Sequence, residues 1–524
     1  MIDGLATDTR RAPTASAACA GEEAPITGPH APEAMMTDVD MLIVGGGLSG
    51  IDAAYRFQTR CRGKSYAILE ARHAIGGTWD LFRYPGIRSD SDMHTLGFPF
   101  RPWRGEKAIA DGASIRDYIR ETARLYGIDR QIRFGHRVVR VEWSSATARW
   151  TVHARIEGVG TRVITCRFLF MCSGYYDYAG GYTPDFPGSS DFLGPIVHPQ
   201  AWPDALDVAG KRVVVIGSGA TAVTLVPALV AQGAHVTMLQ RSPTYIVARA
   251  ARDGIARWAH RLLPGSVADG LVRWKNILTG MAIYGLSRRR PDRVKSAILK
   301  RVRHQLGPDY DVDRNFTPSY DPWDQRICLV PDGDLFAALR AGQAEIVTDR
   351  IERFTTNGIR LQSRAELPAD IIVTATGLVI KLAGGAEMLI DGKPISLSDT
   401  ILYKGMMFSD VPNFALAFGY TNASWTLKCD LTARYVCRLI RHMERRGTAI
   451  CTPRLNAGDD ASEPMLDFSS TYVRRAQAIL PRQGRRAPWR VHQNYVRDLL
   501  ALKFGRVEDG AMEYRAAPHE RVSV

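Results

Sequence analysis

The sequence predicts an α/β fold in which two parallel-sheet units share one chain and the second carries a helical insertion. Three observations predict it. A strand-like apolar run, MLIV, leads into Gly45-x-Gly47-x-x-Gly50. KRVVVIGSGATA repeats the pattern at Gly217-x-Gly219-x-x-Ala222. Each turn is followed by a helical pattern and a second apolar run, the strand–turn–helix–strand order of a dinucleotide-binding unit. At 524 residues the chain exceeds one ordinary core, so two or three domains are expected.

Residues 1–36 are rich in Ala, Pro, Thr and Glu and are expected to be a disordered extension. No sustained apolar run follows Arg10-Arg11, which argues against a signal peptide. Met35 and Met36 stand just before the first strand, and either is a candidate start.

Residues 37–180 are expected to form the first part of one Rossmann-like domain. Gly45 permits a tight turn, Gly47 lets the backbone approach a pyrophosphate, and Gly50 lets helix pack on strand. The helix N-terminus then presents its positive dipole end to the phosphates. SYAILE ends at Glu70, twenty residues after Gly50, where a carboxylate can accept from a ribose 2′-hydroxyl. Alternating segments from Arg130 to Gly174 predict a β-meander. Residues 181–205 form a connector, and 206–378 the second unit, with helices over about 250–320. ADIIVTATG, ending at Gly377, is a returning strand, and 379–524 complete the first domain. Trp258, Trp274 and Tyr284 in the insertion are expected mostly to pack in its core.

The second unit ends differently from the first. Gln240, Arg241 and Ser242 stand where Glu70 stands in the other. A carboxylate repels a 2′-phosphate, whereas a guanidinium binds it. The first site therefore favours an adenosine without that phosphate and the second favours NADPH. Two unlike dinucleotide sites imply electron transfer, and FAD with NADPH is the economical pairing.

The formal net charge is +14, but no block is purely basic. Ser287–Gln305 reads as a solvated basic helix face, with weak attraction to anionic lipid as a minor alternative, and not as a nucleic-acid surface. None of the eight cysteines has C-x-x-C spacing, so neither a metal site nor a redox dithiol is expected. Their number fits a reduced, cytoplasmic protein. No apolar run approaches the roughly 18–20 residues that span a bilayer. The two glycine motifs alone leave reductases and monooxygenases open; the missing dithiol speaks against disulfide reductases.

Between the two turns, FLGPIVHPQAWP fits F-x-G-x-x-x-H-x-x-x-W-P through Phe192, Gly194, His198, Trp202 and Pro203. This resembles the signature of type I Baeyer–Villiger monooxygenases. GGTWDLFRYPGIRSDSDMHTLGF, YDPWDQRICLVPDGDLF and GYTNASWTLK are similar to one subgroup, the ethionamide-activating monooxygenases. The resemblance runs from Asp38 to the C-terminal region. It implies FAD contacts at Gly45, Gly47, Ser49, Gly50 and Glu70, with Thr78, Trp79, Asp80 and Leu81 along the flavin and Val138 beside the adenine. It implies that Arg88, Ser89 and Asp90 lie between flavin and nicotinamide. NADPH would meet Gly217, Ser218, Gly219, Ala220, Thr221, Ala222 and Val223, with Gln240 and Arg241. Arg326 matches the active-site arginine, with Asp90 pairing to it. Gln325 stands where many members carry lysine, which leaves Arg241 the better-supported NADPH contact.

The resemblance further implies insertion of one atom of dioxygen into ketones to give esters or lactones, with oxidation of thioethers or thioamides beside it. An enzyme specialised for S- or N-oxygenation, and an NADPH–flavin reductase that inserts no oxygen, are the alternatives. His198 and Trp202 are expected to anchor the connector by hydrogen bonding and packing, without performing chemistry.

Overall fold

Strand β1 (Asp38–Val44) is buried along most of its length, as a strand between two others must be, and its apolar residues leave no polar face to solvent. The structure is a computed structural model and describes residues 38–456, 461–466 and 468–516. The N-terminal extension lies outside the described residues.

The polypeptide leaves β1 through helix α1 (Leu48–Arg60) and returns in parallel as β2 (Tyr66–Leu69), with Val44 beside Leu69. Helices α2 (Thr78–Leu81), α3 (Met93–Leu96) and α4 (Gly112–Leu125) precede β3 (Ile132–Arg133), which extends the sheet past β2. An antiparallel meander follows: β4 (His136–Ser144), β5 (Arg149–Ile156) and β6 (Gly160–Met171). The far half of β6 lies parallel to β1.

The second sheet is wholly parallel, and its order is not sequential. Strand β7 (Ile196–Val197) is one edge; β8 (Arg212–Ile216) leads through α5 (Ala220–Ala231) to β9 (His235–Gln240). The segment expected as a plain connector thus contributes an edge strand. Next come the parallel pair β10 (Ile246–Arg249) and β11 (Cys328–Pro331). Between them lie helices α6 (Gly254–Leu262), α7 (Gly265–Arg289), α8 (Pro291–Leu306) and α9 (Val312–Phe316). Helix α10 (Asp334–Arg340) precedes β12 (Ala344–Thr348), which pairs with β9. A three-stranded antiparallel sheet, β13 (Ile351–Thr355), β14 (Gly358–Leu361) and β15 (Glu366–Pro368), leads to β16 (Ile371–Thr374) between β7 and β8.

The chain then goes back to the first sheet. β17 (Glu387–Ile390) adds to β4 with its hairpin partner β18 (Lys393–Ile395), and Phe414–Leu416 lies parallel to β6. Helix α11 (Trp425–Arg446) packs across α1. Ile51, Ala54 and Phe57 of α1 are buried in the shared core, the larger ones worth about 1.5–3 kcal/mol each.

Two expectations fail in the insertion. Trp258 is 59% exposed and Trp274 40%, so neither fills a core. The reason is local: small residues, Ala256, Ala259 and Ala268, pack α6 against α7, and the large ones face outward. Tyr284 meets Trp323 edge-on. Among the described residues no helix is long and apolar enough to cross a membrane.

The C-terminal segment is held to α11 by a buried ion pair, Lys428 Nζ to Asp498 Oδ2 at 2.9 Å, with Tyr420 donating to the same oxygen at 2.6 Å. Removing one partner leaves a buried charge uncompensated. Asp498→Ala is expected to lower stability by about 3–5 kcal/mol, read as an earlier midpoint in urea denaturation; an unchanged midpoint would show that the pair holds nothing.

Candidate active site

Both glycine turns open into one cavity of about 1810 Å3. Single-ligand pockets run to roughly 300–1,000 Å3, so this one has room for two cofactor-sized molecules. Its floor is backbone. Gly45 has φ +113°, and a Cβ there would stand 2.5 Å from the carbonyl oxygen of Cys172. A Cβ on Gly50 would stand 1.8 Å from the Gly45 carbonyl oxygen. Neither α1 nor α5 has a side-chain cap at its N-terminus. Their first N–H groups therefore need another acceptor, and a phosphate suits both charge and geometry. The residues present fit two dinucleotides on this ground.

Of the residues expected at the first site, Gly45, Gly47, Ser49, Glu70, Thr78, Trp79 and Val138 line the cavity. Gly50 lies beneath, shaping the turn. Glu70 is held from both sides: Oε2 accepts from Gly46 N at 2.6 Å and Oε1 from Arg72 N at 2.8 Å. Burial pushes its carboxyl up, and the two backbone bonds oppose the shift. Ser49 Oγ accepts from Trp425 Nε1 at 2.9 Å. Thr78 Oγ1 lies 3.2 Å from Tyr178 Oη.

Two members of this set face elsewhere. Asp80 is 2% exposed and ion-paired with Arg72 (2.6 Å), Arg83 (3.0 Å) and Arg120 (3.1 Å). It ties the loop together and does not reach the cavity. Leu81 packs into the core of the second sheet. In one helical turn, α2 aims Thr78 and Trp79 inward and the next two residues outward.

At the second site Gly219, Ala220 and Thr221 line the cavity. Gly217 holds the turn, with φ +134°. Ser218 Oγ donates to the Ser242 carbonyl at 3.0 Å. Ala222 and Val223 are fully buried in the helix–sheet core. The Gln240 side chain is turned from the cavity: it is 2% exposed, and its amide donates to the Asn315 carbonyl and Thr348 Oγ1, both at 2.8 Å. As the last residue of β9 its side chain falls on the inner face. Arg241, next in the chain, is exposed and has no ion pair among the described residues.

Arg88, Ser89, Asp90 and Arg326 line the same cavity, with Asp90 close enough to feel both guanidinium charges. Arg88 pairs with Asp334 at 2.6 Å. Ser89 Oγ accepts from Ser91 N at 3.0 Å. No ion pair joins Asp90 to Arg326, which corrects the expected contact; they act on each other through space. Burial pushes the Asp90 carboxyl up, while Arg326 and Arg88 draw it down. Burial also works against the Arg326 charge, while the oxygens of Tyr175, Tyr472, Tyr176 and Asp90 nearby favour the protonated guanidinium. Arg326 Nη2 makes one long hydrogen bond, 3.4 Å to the Thr421 carbonyl.

Those tyrosines were missed by motif reading. The Tyr175 and Tyr176 hydroxyls lie 2.5 Å apart, and Tyr175 stacks on Trp425 at 4.9 Å. The available signal was position: they follow Ser173-Gly174 at the carboxyl end of β6, where ligands of open α/β sheets bind. His198 stands on the wall, Nε2 3.2 Å from the Gly377 carbonyl, with Nδ1 accepting from Gln200 N at 3.2 Å. Trp202 packs against the second core.

Residues 42–248 match the model of the pyridine nucleotide-disulphide oxidoreductase family. The chain is 54% identical over 485 residues to the FAD-containing monooxygenase EthA of Mycobacterium tuberculosis, covering 92% of this chain and 99% of that one. It is 49% identical to the putative FAD-containing monooxygenase MymA of the same organism, with the same coverage. Among solved structures, an oxidized steroid monooxygenase bound to NADP superposes with a TM-score of 0.72 at 22% identity, covering 92% of this chain and all of that one.

The turn geometry makes Gly50→Ala a sharp test: the purified variant is expected to lose its flavin, read as the ratio of flavin to protein absorbance, and full occupancy would refute the role of the turn. For Arg241→Ala the KM for NADPH is expected to rise about tenfold, the weight of one hydrogen bond to a charged group, with little change for NADH. An unchanged ratio of the two cofactors would remove Arg241 from the site.

Proposed function

The chain belongs to the FAD-containing monooxygenases, and from that premise we propose that it is an NADPH-dependent enzyme of the Baeyer–Villiger type, converting ketones into esters or lactones. The observation that carries this reading is the shared cavity, in which two uncapped glycine turns face one half-buried guanidinium. Bound FAD supplies the redox chemistry, taking a hydride from NADPH and activating dioxygen when reduced.

The protein's own contributions follow from charge and position. Arg326 keeps its positive charge in a partly dry site, with phenol oxygens and Asp90 nearby. Negative charge that develops on a ketone oxygen under attack is stabilised by that cation. With no carboxylate bonded to it, the guanidinium has donors to spare for substrate. Arg88 is clamped by Asp334, so it serves as a fixed wall between the halves. Glu70 and the α1 N-terminus would hold the adenosine diphosphate part of FAD; the α5 N-terminus and Arg241 would hold the phosphates of NADPH. Trp425, Tyr175 and the loop backbone exclude water around the reacting centre.

Sulfur oxidation is a second reading, and Asp90 is the group near Arg326 that bears on it. Oxygen transfer to a thioether or thioamide needs a proton at the oxidant, whereas attack on a ketone needs an anion. Burial raises the Asp90 carboxyl while Arg326 and Arg88 oppose the shift, so Asp90 is the titratable group near Arg326 that bears on this balance. The small-molecule partners of this reading are therefore dioxygen with a ketone or a thioether.

Aerobic turnover with labelled dioxygen over a panel of ketones and thioethers is expected to put one labelled atom into product, as lactone or ester from ketones. Label in sulfoxides alone would select the second reading, and NADPH oxidation with no label in any product would leave a reductase. Arg326→Ala is expected to cut product formation about 10²–10³-fold while reduction of the flavin by NADPH persists. Normal ester yield in that variant would overturn the assignment.

A further inference from the structure

We propose that the outer face of the α6–α7 hairpin seats on an anionic lipid bilayer. Large apolar side chains are exposed there in a continuous stripe. On α6 they are Ile255, Trp258 and Leu262; on α7 they are Val267, Leu271, Trp274 and Leu278. The spacings i, i+3, i+7 and i, i+4, i+7, i+11 put each set on one helix face. The arrangement inverts that of an ordinary surface hairpin, because small residues pack the inside. A contiguous patch of this kind marks an interaction surface, and tryptophans at its edge suit the bilayer interface.

Charge decides the occupant. Residues 251–306 hold thirteen arginines and lysines against three aspartates. Arg257 and Arg261 are exposed beside the α6 stripe, and Arg290 is exposed at the end of α7; none has an ion pair among the described residues. Basic side chains around an apolar face are the pattern of a helix lying in an anionic membrane surface. A second copy of the chain fits worse, since a two-fold contact would press the same cationic patch against itself.

The same helix α7 also reaches the cavity, on another face. Further along α7, Ile283 and Leu286 are exposed and line it. Given the oxygen-transfer reading above, a lipophilic ketone or thioether is the substrate class that an enzyme seated on a bilayer would meet. Lipid binding itself does not rest on that reading.

The test is sedimentation of the FAD-loaded full chain with vesicles of phosphatidylglycerol and phosphatidylcholine, and of phosphatidylcholine alone. The wild type is expected to sediment with the anionic vesicles, less so in high salt. Trp258→Glu with Leu262→Glu and Leu271→Glu is expected to lower partition about tenfold or more, with flavin content and turnover of a water-soluble substrate unchanged. Arg257→Gln with Arg261→Gln and Arg290→Gln, which leaves the apolar face intact, is expected to weaken binding and flatten its salt dependence. A wild type that stays in the supernatant, or an acidic triple variant that sediments equally, overturns the proposal. So does a wild-type dimer that the triple variant dissociates while neither binds vesicles, which assigns the face to a second copy. If vesicles bind but no substrate is oxygenated, the lipid surface stands and the oxygenase reading falls.

Discussion

One close approach of backbone to backbone, made twice, sets the geometry of everything else. In the first unit the turn after β1 lies against the end of β6, where a Cβ on Gly45 would meet the Cys172 carbonyl oxygen at 2.5 Å. In the second the turn after β8 lies against the end of β16, where a Cβ on Gly217 would meet the Ala375 carbonyl oxygen at 2.4 Å. Both turns have positive φ, so a side chain would add strain to a clash. The consequence reaches beyond the turns. Each contact locks the start of a helix to the carboxyl end of a neighbouring strand, and so aims an uncapped row of N–H groups at one cavity.

Into the wall of that cavity the protein sets a cation, Arg326, without a carboxylate in contact. Taking a guanidinium out of water costs several kcal/mol unless something offsets it. Here its surroundings are phenol dipoles, Tyr175 and Tyr176 among them, and, at a distance, Asp90. A direct salt bridge would have held the charge more simply, but it would have occupied the fork of donors. The single bond to the Thr421 carbonyl leaves most of that fork open. Arg88, bonded tightly to Asp334 in the wall of the same cavity, shows the other solution, and its charge is correspondingly unavailable.

Much of this was legible in the sequence because glycine spacing and strand runs are local signals. The two turns, the crossover helices, the meander and the helical insertion all follow from periodicity and from the residues each turn demands. Less legible was which way a motif residue points. Asp80 and Gln240 occupy motif positions but face inward, each satisfied by partners from distant segments. Ala222 and Val223 stand in the fingerprint helix on the side that packs on the sheet. The tyrosines around Arg326 come from separate parts of the chain, and no spacing links residue 175 with 472. The outward tryptophans of the insertion were misjudged for a related reason: an apolar stripe has a period, but the period does not say what covers it.

His198 illustrates how geometry settles a role that composition leaves open. A histidine beside prolines in a connector could act as a base, since its ordinary pKa lies near neutrality. Burial lowers that pKa further, with the Gly377 carbonyl opposing the shift. Both ring nitrogens are occupied. Nδ1 accepts from the Gln200 N–H, so the proton of the neutral ring is on Nε2, where it donates to the Gly377 carbonyl. Protonating Nδ1 would set two hydrogens against each other, and moving the Nε2 proton would break the bond to the strand end. The ring also stands hard against Gly181, where a Cβ would overlap it at 1.8 Å. A residue held this way cannot shuttle protons without loosening the connector. What it can do is tie the connector to the end of β16, beside the turn that carries Gly217, so that the segment joining the two units is fastened at the wall of the cavity they share.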